Sequence, residues 1–158
     1  MGNSELLPDN RAAALESQRR FYQVTCGLPA RVRPDLARVV FTVGSVGAVM
    51  MPAHLGTRVR AGLLVPDKEQ VVPIVSHPRS KRWWFLVHPD IPRAAALLAE
   101  LFRHHVSVVP VGYEVALPSP FGSEIGRREW VREPSSGFRP SGVLVVEATR
   151  ACLSPLRR

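Results

Sequence analysis

Apolar positions along the chain alternate between helical and strand spacing, and the punctuation between them is mostly proline and glycine. From Pro8 to Val24, Leu15, Phe21 and Tyr22 (with Gln18) share a broad stripe, while Arg11, Arg19 and Arg20 lie outside it, which predicts an amphipathic helix. Asp9 or Asn10 suits its start, and Gly27 and Pro29 end it. A proline-containing connection, Leu28 to Asp35, then leads to Ala37–Val43 (ARVVFTV), whose β-branched and aromatic residues read as a strand. Gly44-Ser45 turns the chain into a second strand, Val46–Met51. Pro52 fits the first turn of a helix, Ala53–Leu64, with Leu55, Val59 and Leu63 on one side.

Pro66–Gln70 reads as a polar loop. Val71–Ser76 and Arg82–Val87 form a hairpin around His77-Pro78-Arg79-Ser80-Lys81. Asp90 is placed to cap a helix over Ile91–His104, with Ala95, Leu98, Leu101 and Phe102 facing a core. Two further strands, Val106–Val111 and Tyr113–Leu117, precede a Pro/Gly/Ser-rich stretch from Pro118 to Gly126. Trp130-Val131 suits a last short strand. Ser141–Cys152 fits a strand or a helix, with Glu147 and Ala148 favouring helix. The order predicts one α+β domain, helices packed on a mostly antiparallel sheet. Its parts are an N-terminal helix (1–27), an α+β core (28–133) and a C-terminal loop and helix (134–158).

Composition narrows this picture. The 158 residues are 46% hydrophobic and 22% charged, ordinary for a soluble globular chain and far from a disordered one. A chain of this length buries about 70% of its unfolded surface, enough for a core without a disulfide or metal staple. No apolar run approaches the roughly 18 residues of a membrane span, and the start MGNSELLPDN lacks the basic flank and apolar stretch of a secretory signal. It matches a Gly2 myristoylation pattern only in its Met-Gly opening. Cys26 and Cys152 are far apart and without metal-like spacing, so a reduced, cytoplasmic setting is expected. The formal net charge is +8, and of the 21 basic residues only Lys68 and Lys81 are lysine. Arginine makes planar contacts with phosphate and stacks on aromatic rings, which suits nucleic-acid partners. A GC-rich genome produces the same arginine bias.

Enzyme signatures do not assemble. His54, His77, His88, His104 and His105 have no Cys, Asp or Glu at metal-ligand spacing, and adjacent histidines point to different helix faces. No nucleophile elbow, phosphate-cradling glycine loop or H-E-x-x-H sequence occurs. Asp67 and Glu69 lie in a polar loop where solvation is the simpler reading, and Ser119 and Ser123 lack a nearby base. The expectation is no catalytic residue, no metal and no cofactor.

The informative stretch is HPRSKRWWFLV, His77–Val87. Arg79, Lys81 and Arg82 gather at a turn, where phosphate contacts are easily made. Along the strand, Trp83, Phe85 and Val87 share one face and Arg82, Trp84 and Leu86 the other. With Trp83 and Phe85 inside, Trp84 beside Arg82 becomes a stacking platform for a base. The competing arrangement packs both tryptophans between sheet and helices. A second basic group, Arg127, Arg128 and Arg132, surrounds Trp130 and either extends this surface or forms a solvated edge.

The succession Gly44-Ser45-Val46-Gly47-Ala48-Val49-Met50-Met51-Pro52, Pro73-Ile74-Val75, Ser80-Lys81-Arg82-Trp83-Trp84-Phe85 and Gly112-Tyr113-Glu114-Val115-Ala116-Leu117-Pro118-Ser119, followed by Gly126 and Trp130, resembles the bifunctional DNA primase/polymerase domain. These are relatives of archaeo-eukaryotic primases, of which actinobacteria carry many short, degraded versions. The resemblance spans about Val40 to Glu133 and implies an RRM-like α+β core. It also implies two metal ions bridging nucleotide phosphates, held by a D-x-D pair at a strand end and a later Asp. The matching strand ends in Val49-Met50-Met51-Pro52; thioether and proline do not hold Mg²⁺, which takes hard oxygen ligands. The later Asp falls near Val106 or Ser107, and the nucleotide-binding His near Arg82. The family's zinc-binding cysteine insert is missing as well.

The reading that follows is a cytoplasmic, non-catalytic primase/polymerase-like domain. It binds single-stranded DNA or RNA through Arg79, Lys81, Arg82, Trp84, Arg127 and Arg128, with no membrane partner. One alternative is a regulatory module meeting an acidic protein partner, its apolar tail Gly142–Leu153 docking on another chain. Another is an active nucleotidyltransferase with relocated carboxylates such as Asp67, Glu69 or Glu114.

Overall fold

Helix α1 (Pro8–Val24) begins on its proline, whose fixed φ and missing N–H suit a first helical turn, so Asp9 and Asn10 fall inside that turn. The chain reverses at Gly27, at φ +62°, and the Leu28 N–H donates to the Tyr22 carbonyl at 2.9 Å. The computed structural model describes residues 8–63, 71–121 and 126–154. Asp67, Glu69, Ser123 and the Met-Gly opening lie outside the described residues.

Two antiparallel sheets follow. Strands β1 (Ala30–Arg33), β2 (Arg38–Thr42) and β7 (Glu114–Ala116) form a three-stranded sheet in the order β1-β2-β7. The larger sheet runs β6-β3-β5-β4-β8 and comprises β3 (Gly47–Pro52), β4 (Ile74–His77), β5 (Arg82–Val87), β6 (Ser107–Val108) and β8 (Glu129–Arg132). Helices α2 (Ala53–Gly62), α3 (Ala95–Phe102) and α4 (Gly142–Leu153) complete an α+β domain, the class expected from the sequence.

Strand alternation gives the larger sheet two apolar faces. Val49, Met51, Ile74, Phe85 and Val87 pack with Leu55 and Val59 of α2, Leu101 of α3 and Val145 and Val146 of α4. Ala48, Val75 and Leu86 pack with Val39, Phe41 and Val115 of the smaller sheet and Leu15 and Tyr22 of α1. The tail read as apolar is thus a packed helix, with Val145, Val146 and Thr149 buried. Cys26 and Cys152 are both free; Cys26 is buried in one core and Cys152 packs against the other. Burial pushes the Cys26 thiol up to about 11, so it stays protonated and unreactive at neutral pH.

Several expectations are corrected. Residues 30–33, read as connection because Pro29 and Pro34 flank them, form β1; it is an edge strand, where flanking prolines cost no ladder hydrogen bond. Val106–Val111 shortens to β6, and the next strand joins the other sheet rather than its sequence neighbour. Asp90 does not cap the helix that follows it. Pro92 biases Ile91 away from helical backbone, so α3 starts only at Ala95, with no side-chain cap.

Asp90 instead caps α4, fifty residues on. Its Oδ1 accepts the Val143 N–H at 3.1 Å and its Oδ2 the Ser141 hydroxyl at 2.5 Å. Partial desolvation pushes the Asp90 carboxyl up, but the Ser141 and backbone hydrogen bonds outweigh it and hold the group below the usual carboxylate value. Stability from a depressed carboxylate is present above its unfolded-state pKa, about 3.9, and fades as pH falls through the folded-state value. Asp90→Ala is therefore expected to cost about 1 kcal/mol at pH 7. Urea unfolding of variant and parent should converge as the pH drops below about 3.9.

Candidate nucleic-acid interface

Pairing across the larger sheet lines up Trp130, Val75, Trp84, Met50 and Ser107 as one lateral row. Paired residues project to the same face, so Trp84 and Met50 stand side by side, with Arg82, opposite Pro52 and His77, in the next row. Trp83 points the other way and its ring lies on α2. A Cβ added at Gly56 would sit 2.6 Å from Trp83 Cε3, so only glycine allows this approach. The alternation expected for this strand therefore holds.

Trp84 is half-buried at a cleft between the two sheets. Leu36, Val40 and Ala116 form its apolar wall, and Arg38, Arg128 and Glu114 its polar one, around a volume of about 180 Å³. The Arg128 guanidinium carbon lies 5.6 Å from the Trp84 ring centroid, and Nη1 donates to the Gly126 carbonyl at 2.7 Å. Burial, followed by the nearby charge of Arg38, holds Arg128 below the usual arginine range, though it remains a cation. Among the described residues, no carboxylate lies within ion-pair distance of Arg38 or Arg128. Glu114 is already held, by Arg31 and by Arg33, the latter at 2.7 Å, and Arg33 also pairs with Asp35 at 3.0 Å. Two guanidiniums thus share a partly desolvated cleft beside an indole, an arrangement that attracts an anion.

Arg82 is exposed, its Nη1 3.7 Å from Met50 Sδ. Beyond it, the β4–β5 turn presents exposed Arg79 and Lys81. Lys81 takes the left-handed conformation, at φ +55°. Its N–H donates to the Pro78 carbonyl at 3.2 Å, and its carbonyl accepts the Ala53 N–H at 2.8 Å, pinning the turn to the start of α2. His77 Nδ1 lies 2.7 Å from Ser80 Oγ.

The structure joins Arg82, Trp84 and Arg128 on one face, with Arg79 and Lys81 at the adjoining tip. Arg127, although next to Arg128, is exposed and pairs with Glu129 at 3.2 Å, so its charge is offset. Trp130 belongs to the core: its Nε1–H donates to the Tyr22 hydroxyl at 3.2 Å, and that hydroxyl donates to the Pro118 carbonyl. Arg38 escaped sequence reasoning. Alternation places Arg38 and Val40 together, but nothing in the sequence sets β2 across from Trp84.

Among the described residues no three His, Cys, Asp or Glu side chains gather closely enough to hold a metal ion. Ser119 is structural, its Oγ accepting the Val39 N–H at 2.9 Å and donating to the Leu117 carbonyl at 3.0 Å. No helix among the described residues is long and apolar enough to cross a membrane. The chain matches no family model, no curated protein and no solved structure.

Proposed function

We propose that the chain is a non-catalytic, primase/polymerase-like domain of the cytoplasm that binds single-stranded DNA or RNA. The observation that carries this reading is the Arg128 guanidinium held over Trp84 with Arg38 beside it and no carboxylate partner for either among the described residues. In this reading a base stacks at the exposed part of Trp84, phosphates meet Arg128, Arg38 and Arg82, and Arg79 and Lys81 track the backbone beyond. A second support is spatial. The resemblance expects metal ligands within Val49–Pro52 and at Val106 or Ser107, and a nucleotide-binding histidine near Arg82. Of these, Met50, Ser107 and Arg82 are neighbours on this same face, while Val49, Met51 and Val106 are buried in the core on the other side. A thioether, a hydroxyl and a guanidinium there favour phosphate contact over Mg²⁺ chemistry.

Fluorescence anisotropy with labelled oligo(dT) and oligo(U) across a salt series tests it. The expectation is micromolar affinity at low salt and a log–log salt slope of about −3.5, corresponding to about five phosphate contacts. Absence of micromolar binding at low ionic strength, or binding indifferent to salt, overturns the reading. Primer extension with Mg²⁺ or Mn²⁺ is expected to give no product.

A further inference from the structure

Helix α3, AALLAELF, is apolar at every position except Glu100. A helix apolar all round is ordinarily enclosed on all sides. Here only Leu101 is fully buried, Leu97 and Leu98 are half-covered, and Ala95, Ala96, Ala99 and Phe102 face outward, Phe102 at 72% exposure. Leu98 lines a cavity of about 140 Å³, walled by Val87, Ile91, Pro92 and the 61%-exposed Val111, with Arg93 among its lining residues. Phe102 lies one turn along the same stripe as Leu98, so cavity and helix face are continuous. A volume near 150 Å³ admits a benzene-sized group.

Charge identifies the occupant. Arg93 and Arg103 bracket the helix, and among the described residues neither has a carboxylate within ion-pair distance. Glu100 is engaged by Arg150 at 3.2 Å. We propose that α3 and this cavity form a docking surface for an acidic amphipathic segment of a partner protein. A leucine or phenylalanine of that segment fills the cavity, a second apolar residue covers Phe102, and carboxylates meet Arg93 and Arg103. A second copy of this chain would bring the same basic rim against itself. The surface lies at the Gly47–Val87 end of β3 and β5, opposite the Pro52–Arg82 end, so it stands apart from the nucleic-acid cleft.

The test titrates the ¹⁵N-labelled chain with a synthetic acidic peptide carrying leucine and phenylalanine at i, i+4 spacing, and with the same peptide bearing lysine for every acid. The acidic peptide is expected to shift the amides of Arg93, Leu98, Phe102 and Val111, and the lysine peptide to leave them in place. Arg93→Glu and Phe102→Ser, both at exposed positions and checked for fold by circular dichroism, should each weaken the peptide about tenfold without changing oligo(dT) affinity. The proposal is overturned by absence of shifts or by equal binding of the lysine peptide. It is equally overturned if oligo(dT), phosphatidylserine vesicles or self-association perturbs these amides while the acidic peptide does not.

Discussion

Trp84→Ala is expected to lower oligo(dT) affinity by one to two orders of magnitude, because a base stacked on an aromatic ring contributes about 1–3 kcal/mol. The indole is half-buried and also packs against the core shared with the smaller sheet, so the variant loses some stability as well. Trp84→Phe separates the two effects, since it keeps an aromatic surface and much of the packing. It should recover most of the binding. Arg128→Ala removes the cation over the ring and one phosphate contact, and should lower the magnitude of the salt slope by about 0.7. Arg128→Lys is expected to restore the slope but not the full affinity, because an ammonium does not stack on indole as a planar guanidinium does. A folded Trp84→Ala protein that binds like the parent would remove this cleft as the binding site.

Phe85→Ala is expected to cost about 3–5 kcal/mol and to lower Tm by roughly 10 °C. Phe85 is fully buried, paired with Val49 and Ile74 across the sheet and enclosed by α2 and α4. Alanine there leaves a cavity that two helices and a sheet cannot all close. Leu86, its neighbour, is equally buried but faces the core on the other side. Thermal unfolding of Phe85→Ala, Leu86→Ala and the double variant then reports whether the two cores unfold as one. One transition is expected because the same sheet forms a wall of both, and the loss in the double variant should depart from the sum of the single losses because the two residues are neighbours on one strand. A loss below 1 kcal/mol for Phe85→Ala would contradict the packing described.

How far the sequence carries depends on the range of the interaction. Alternation in residues 82–87 separates Trp83 from Trp84 correctly, because period-two geometry is local. The helix over Pro8–Val24 is legible because its stripe is likewise local, whereas the periodicity of Ser141–Cys152 fits strand or helix and only Glu147 and Ala148 tip it towards the helix found at Gly142–Leu153. Asp90 carries the right cap chemistry, but its helix is α4, a choice made by tertiary packing. Arg127 and Arg128 are indistinguishable by position or type. One is offset by Glu129 and the other is drawn over an indole, and only the fold separates them. Arg38 reaches the cleft because the smaller sheet packs across the larger one, a relation written in no local pattern.

The bond from the Ala53 N–H to the Lys81 carbonyl has a thermodynamic consequence. Because the basic turn is already fixed to α2, a nucleic-acid strand bound there as proposed would meet cations whose backbone needs no ordering on contact. Association should then proceed without a coupled folding step, with a small heat-capacity change. Calorimetry would register it as rigid-surface recognition.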